Sequence, residues 1–264
     1  MNVADGRVVG TVGEVWRYPV KSMLGERLGG AMVTPVGVEG DRRFGVRDEA
    51  DGSIISAKRS AVLFGFRSSY DCDGLPRIQS PSGMVRQPDD PELAAELSAA
   101  LGRTVTLAER RPGEETRIQM ASDSDTTEGP SDHFSTQEGL FFDASHLLLL
   151  TTATLATLQG LHPDGRWDVR RFRPNFLIEP AGGAGGYVEE AWIGGRVAIG
   201  AEAVVDVLRP CTRCVMITHA QDELPTDRDI LRTVLRENEQ HAGVRADVVT
   251  PGRVSVGDAV TLLG

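Results

Sequence analysis

Val8-Val9-Gly10-Thr11-Val12-Gly13-Glu14-Val15-Trp16-Arg17-Tyr18-Pro19-Val20 alternates apolar and polar side chains for much of its length and runs into Lys21 and Ser22. Successive side chains of a strand point to opposite faces, so this chain opens on a half-buried β-strand. Met32 to Val36, Phe44 to Arg47 and Ala61 to Tyr70 are further β-type runs. Turn signals at Gly37-Val38-Glu39-Gly40, Asp51-Gly52 and Ser82-Gly83 separate them.

A helix is predicted from Asp90 as N-cap and Pro91 as first helical residue, with Leu93, Leu97 and Leu101 on one face and a stop at Gly102. A strand over Val105 to Ala108 follows. Residues 111 to 140 are polar and read as a long loop. Beyond them, Leu147 to Thr151 suits a buried strand and Ala153 to Leu161 a short helix. Arg171 to Glu179, Val197 to Gly200 and Ala203 to Leu208 suit strands. Thr226 and Asp229 predict a capped helix with Ile230, Leu231, Val234 and Leu235 as its apolar face. Val248 to Val249 and Val254 to Leu263 end the chain as strands around Pro251-Gly252. Many short strands and few helices imply a β-rich α+β fold of barrel-like modules with peripheral helices.

Composition narrows the function. The 264 residues carry a formal net charge of -10, with nothing like a basic arm, which argues against nucleic acid as a partner. No apolar run approaches a membrane span, and Met1 to Val9 lacks the pattern of a secretory signal, so a cytoplasmic protein is expected. The three cysteines, Cys72, Cys211 and Cys214, cannot all pair, which excludes a disulfide scaffold.

In Arg209-Pro210-Cys211-Thr212-Arg213-Cys214, two thiols follow a predicted strand between arginines. Nearby cations favour the thiolate, the form that binds soft metals. A zinc half-site would need two further ligands, and no second Cys-x-x-Cys or His-x-x-x-His is present. A thioredoxin-like pair would open a helix, whereas β-branched Val215, Ile217 and Thr218 follow here. Two structural thiols in a core strand are the remaining alternative. His219 lies five residues beyond Cys214 but is otherwise a lone histidine. Cationic groups recur in Lys21-Ser22, in Asp41-Arg42-Arg43-Phe44 and in Arg170-Arg171-Phe172-Arg173-Pro174-Asn175. Such groups clamp oxyanions when they converge. Spacing alone leaves that convergence open.

Val12 to Ser22 resembles the opening of the N-terminal β-barrel that precedes MOSC domains, and Gly37-Val38-Glu39-Gly40-Asp41-Arg42 resembles that module's next motif. Phe172-Arg173-Pro174-Asn175, Glu190-Ala191-Trp192-Ile193-Gly194, Arg213-Cys214 and Val256-Gly257-Asp258-Ala259-Val260 are similar, in the same order, to the MOSC domain itself. The resemblance implies a MOSC N-terminal β-barrel-like domain over residues 1–115 and a MOSC β-barrel domain with peripheral helices over 116–264. Among such proteins the amidoxime-reducing family implies a molybdenum–molybdopterin cofactor whose metal is ligated by Cys214, the catalytic residue. It also implies cofactor contacts from Lys21, Ser22, Arg42, Ser145 (of Asp143-Ala144-Ser145), Arg173, Asn175 and Arg213. Reduction of N-hydroxylated small molecules, such as amidoximes, hydroxylamines and N-hydroxylated base analogues, is the implied activity.

With no cysteines left for a ferredoxin module, an external electron donor is expected, either a flavoprotein reductase or a ferredoxin-type protein. A sulfur carrier using a Cys214 persulfide and a non-catalytic anion-binding module are the rival readings. The chain departs from its relatives after Cys214, where Ile217 to Glu223 replaces most of the expected segment. It also shows no clear equivalent, around Gly243 to Asp247, of an aromatic expected near the pterin.

Overall fold

The opening alternation folds as one long strand, Arg7–Arg17, in the computed structural model, which describes residues 6–111, 116–121, 131–136, 141 and 145–264. Val12 and Val15 from this strand are buried with Leu147, Leu149, Phe176, Ile178, Val205, Val207, Val244, Ala246 and Val260. That cluster fills a closed barrel of seven strands. In spatial order they are Phe176–Pro180, Leu147–Thr151, His241–Thr250, Ala203–Thr212, Arg196–Ile199, Ala259–Leu263 and Arg7–Arg17. The ring closes because Arg7–Arg17 also pairs with Phe176–Pro180. One neighbouring pair, Leu147–Thr151 against Phe176–Pro180, is parallel. The connection between those two strands carries the helix Thr152–Leu161 and the one-turn helix Val169–Phe172, as a parallel crossover requires.

The uninterrupted apolar run Leu147–Thr151 is explained by burial on both faces. Leu147 and Leu149 enter the barrel core. Leu150 faces outward into a second core with Leu158, Trp167, Phe172, Leu177, Ile217, Ile230, Leu231 and Val234. There the helices Thr152–Leu161 and Asp229–Asn238 cover the wall.

A third core lies in the N-terminal half, where Val20, Met23, Phe44, Val46, Leu63, Phe66, Ile78, Leu93, Leu97 and Val105 pack together. Its helix, Pro91–Leu101, forms as the spacing predicts. The Asp90 carboxylate accepts from the Glu92 N–H at 2.8 Å, and Gly102 ends the helix in the left-handed region. Among the described residues no helix is long and apolar enough to cross a membrane.

Several local expectations are corrected. Ala61–Gly65 is a 3-10 turn rather than strand, with Arg67–Tyr70 extended after it. Within the stretch read as a loop, Thr116–Ala121 and Ser131–Thr136 pair as an antiparallel hairpin. Arg171 and Phe172 end a helical turn capped by Asp168, and extended structure resumes only at Phe176. The strand Ala203–Thr212 continues past Leu208 and takes in Pro210 and Cys211. The helix Asp229–Asn238 is not capped by Thr226; the Asp227 carboxylate accepts from the Asp229 N–H at 2.9 Å. Most of the N-terminal stretch searched for a secretory signal, Met1 to Asp5, lies outside the described residues, as do Asp143 and Ala144.

Candidate functional site

Three barrel strands begin or end at one place, and a fourth runs past it. Ser145 and His146 lead into Leu147–Thr151, and Asn175 leads into Phe176–Pro180. Thr212 to Cys214 leave Ala203–Thr212, and Arg245 stands on His241–Thr250. Lys21, Ser22 and Arg42 arrive from the N-terminal half. All of these residues line one open cleft. Every residue singled out from the resemblance is therefore at this cleft: Lys21, Ser22, Arg42, Ser145, Arg173, Asn175, Arg213 and Cys214. Among the described residues the cleft is lined by five arginines and one lysine, and no carboxylate is among the lining residues.

The backbone is bent to make this happen. Ser22, Arg42 and Arg173 have φ of 70, 47 and 55°, left-handed values that non-glycine residues seldom adopt. Such strain persists only where the surroundings over-determine it, and it gathers at ligand sites. The surroundings here are specific. Asp41 is buried and its carboxylate accepts from the Tyr18 N–H at 2.6 Å, from Asn175 Nδ2 at 3.1 Å and from Arg42 Nη1. Asn175 Oδ1 accepts from the Leu148 N–H at 3.1 Å, so this side-chain amide ties the N-terminal half to two barrel strands.

Tyr18 donates its hydroxyl to the Pro174 carbonyl, and its ring lies 4.2 Å beneath the Arg173 guanidinium and 5.3 Å from that of Arg42. Burial pushes the Tyr18 phenol well above its ordinary range, outweighing the opposing pull of Arg173 and Arg42. The ring thus stays a neutral platform for both cations.

Arg173 Nη1 donates to the Met23 carbonyl at 2.6 Å, and Lys21 Nζ to the Phe141 carbonyl at 3.0 Å. Ser22 Oγ accepts from the Ala57 N–H at 2.9 Å, which leaves its own O–H available as a donor. Ser145 Oγ donates to the Leu147 carbonyl at 3.3 Å.

The two thiols are not equivalent. Cys211 is buried, and its sulfur accepts from Arg213 Nη1 at 3.1 Å. Cys214 is half-buried at the cleft, where the chain turns from the strand into the 3-10 turn Val215–Thr218. Arg213 also donates to the Phe172 carbonyl at 2.7 Å, with Phe172 5.2 Å from its guanidinium carbon. Among the described residues no group of three or more His, Cys, Asp or Glu stands ready for a metal.

The other cations of the sequence motifs disperse. Arg170 forms ion pairs with Asp168 at 2.8 Å and Glu223 at 2.5 Å, and Arg43 reaches Glu109. Arg209 is not among the described residues lining the cleft. Neither is His219, whose ring is tilted against Phe64 at 6.1 Å and whose imidazole pKa is lowered by burial.

His146, Thr212, Met216 and Arg245 line the cleft without having been singled out from the sequence. For His146 and Arg245 no local signal exists. Their approach depends on the pairing of Leu147 with Ala246 and Leu148 with Arg245, which joins distant parts of the chain. Arg245 falls within Gly243 to Asp247, where the resemblance leads one to look for an aromatic.

Comparison with known proteins agrees with this architecture. Residues 9–135 match the MOSC N-terminal beta barrel domain, and residues 136–261 match the MOSC domain. The chain is 26% identical to mitochondrial amidoxime-reducing component 1 of Mus musculus, over 97% of this chain and 83% of that protein. It is 23% identical to the same component of Homo sapiens, over 97% and 84%. The YuaD protein from Bacillus subtilis has a similar fold, with a TM-score of 0.52 at 10% identity over 97% of this chain and 96% of the other. Together the two matched families account for nearly the whole sequence, and the chain belongs to the MOSC-domain proteins that carry the MOSC N-terminal β-barrel.

Proposed function

We propose that this protein binds a molybdenum–pterin cofactor in the cationic cleft and reduces N-hydroxylated small molecules, among them amidoximes, hydroxylamines and N-hydroxylated base analogues. The observation that carries the reading is the cleft itself, which is lined by guanidinium and ammonium groups and holds one half-buried thiol in a strongly acidic chain. The residues fit such a group. Arg213 Nε is a buried donor with no hydrogen-bond partner among the described residues, and a buried donor of that kind calls for an acceptor. A phosphate-bearing pterin brings several acceptors, and a soft metal takes a thiolate.

In this reading Cys214 is the metal ligand. Lys21, Ser22 and Arg42 hold the phosphate region, and Ser145, Arg173, Asn175 and Arg213 hold the remainder. Asn175 acts largely by orientation, since both ends of its amide are already engaged by Leu148 and Asp41. When bound, the cofactor supplies two-electron oxygen-atom chemistry, by which an N–OH group becomes N–H and water. The protein's own residues do the rest. Tyr18 and Asp41 hold the arginines in place before any anion arrives, so little reorganisation accompanies binding. Electrons come from an external flavoprotein reductase or ferredoxin-type protein. The amidoxime-reducing names of the relatives favour this reaction class over others.

Protein made in a molybdate-replete host is the direct test. Bound molybdenum, pterin fluorescence after oxidation and turnover of a simple amidoxime are expected. Cys214→Ala should abolish turnover and lose the metal, whereas Cys211→Ala should be much milder. Neither molybdenum nor pterin in the wild-type protein would overturn the reading. An added sulfur on Cys214 without pterin would replace it with a sulfur-carrier role.

A further inference from the structure

We propose that Arg245 receives an oxyanion carried by the substrate, so that the N-hydroxylated compounds this protein prefers bear a carboxylate or a phosphate. The inference rests on the reductase reading and narrows its substrate class.

The cations of the cleft differ in what holds them. Lys21 donates to the Phe141 carbonyl, Arg42 is paired with Asp41, and Arg173 donates to the Met23 carbonyl. Arg213 is engaged by the Phe172 carbonyl and Cys211 Sγ, and Arg171 by carbonyls of its own cage. Arg245 is the exception. Among the described residues its guanidinium makes no hydrogen bond, ion pair or ring contact, although it lines the cleft and is half-buried. A planar cation with five N–H donors and no acceptor of its own is matched by an oxyanion, which takes two parallel hydrogen bonds from it.

Register supplies a second observation. Val244 and Ala246 point into the barrel core, so Arg245 between them lies on the outer face of strand His241–Thr250. Leu148 stands directly across from it on one side and Arg209 on the other. Like charges directly opposite each other destabilise an antiparallel pair, and a nearby anion offsets that cost. Arg209 is exposed, so the positive charge of Arg245 continues from the cleft onto the outside of the barrel.

Burial separates a substrate's oxyanion from the phosphate of the cofactor. Lys21, Ser22, Arg173, Asn175 and Arg213 are all buried and suit a resident group. Arg245, like Cys214, keeps exposed surface, where a molecule arriving from solvent meets the cleft. An anchored oxyanion also limits the orientations in which the N–OH group is presented, and that restriction favours reaction.

The test compares 4-carboxybenzamidoxime with its methyl ester, a neutral compound of similar shape, on molybdenum-loaded wild-type protein and on Arg245→Gln. Wild type should favour the carboxylate by roughly 10- to 100-fold in kcat/KM, the worth of a charge-assisted hydrogen bond or two. The preference should lie in KM, because the anchor is unchanged while the N–O bond breaks. Arg245→Gln should erase the preference, whatever its rate with the ester, and should keep the molybdenum and pterin content of wild type. Calorimetric titration with 4-carboxybenzamidoxime, without an electron donor, should show the same loss of affinity in the absence of turnover.

Equal kcat/KM for acid and ester in loaded wild type overturns the inference and leaves the reductase reading intact. A preference that survives in Arg245→Gln overturns it as well, by assigning the carboxylate to the other cations. Loss of molybdenum or pterin from Arg245→Gln does the same, by giving Arg245 to the cofactor's phosphate. A wild-type protein with neither molybdenum nor pterin overturns both readings.

Discussion

Arg171 has no exposed surface, yet it carries a charge. It survives there because its donors are matched by carbonyls. Nε reaches the Arg166 carbonyl at 2.9 Å, Nη1 reaches those of Ile217 and His219 at 3.1 and 3.0 Å, and Nη2 that of Pro225 at 2.7 Å. Burial still holds its pKa below the ordinary arginine value, so the site strains against the charge and compensates through geometry. The residue thereby gathers the segment that follows Cys214 onto the barrel wall. Arg171→Met would leave four carbonyls without a donor. At about 1 kcal/mol per lost hydrogen bond, a destabilisation of about 3–4 kcal/mol is expected. Thermal unfolding should report it as a fall of roughly 6–12 °C. Arg171→Lys, able to satisfy only some of the acceptors, should fall between. A melting point within a degree or two of wild type would mean that water replaces the guanidinium without cost.

At the scale of elements, the end of strand Leu147–Thr151 shows what a sequence reveals and what it hides. The strand itself is legible from an apolar run, and the helix Pro91–Leu101 from its Asp90, Pro91 and Gly102 signals, because these are local effects of burial and capping. The turn Val169–Phe172 is not legible, since Arg171 to Glu179 has the composition of a strand and its helical start depends on the Asp168 cap and on the buried cage around Arg171. The cleft residues were named by resemblance rather than by spacing. His146 and Arg245 escaped both, because only cross-strand register brings them in.

Equally hidden is Glu189, fully buried at the junction of strand Leu147–Thr151 with helix Thr152–Leu161. Its carboxylate accepts from the hydroxyls of Thr151 at 2.6 Å and Thr154 at 2.7 Å. Burial nonetheless raises its pKa, the hydroxyl bonds only partly opposing this. A carboxyl whose pKa is higher folded than unfolded binds its proton more tightly in the native state. Its stabilising contribution is complete below the unfolded-state value of about 4.3 and is lost as pH rises through the folded value. Glu189→Gln should therefore gain stability relative to wild type as pH increases, read as the difference between their urea midpoints at acid and alkaline pH. A difference that stays constant, or that shrinks with rising pH, would show that the native carboxylate is ionised at no cost.

For the whole molecule, the decisive fact is that the first strand of the chain closes a barrel otherwise built from its second half. Arg7–Arg17 pairs with Phe176–Pro180 on one side and Ala259–Leu263 on the other. The fit is close enough that a Cβ at Gly10 would lie 2.6 Å from the Glu179 carbonyl oxygen. A fragment spanning residues 116–264 would lack this strand and expose two unpaired edges. It would also uncover the interior around Val12 and Val15, each worth roughly 1.5–3 kcal/mol of burial. Against a typical net stability of about 5–15 kcal/mol, those losses together with two broken ladders exceed what the remaining six strands can bear. The fragment should lack a cooperative thermal transition and should aggregate, while the full chain melts in one step. Cleft formation should fail with it, since Lys21, Ser22 and Arg42 are missing from the lining together with Tyr18, on whose ring Arg173 rests. Circular dichroism and analytical sizing of the fragment decide the matter. A monomer with native-like β signal and a cooperative melt would show that the barrel stands without its first strand.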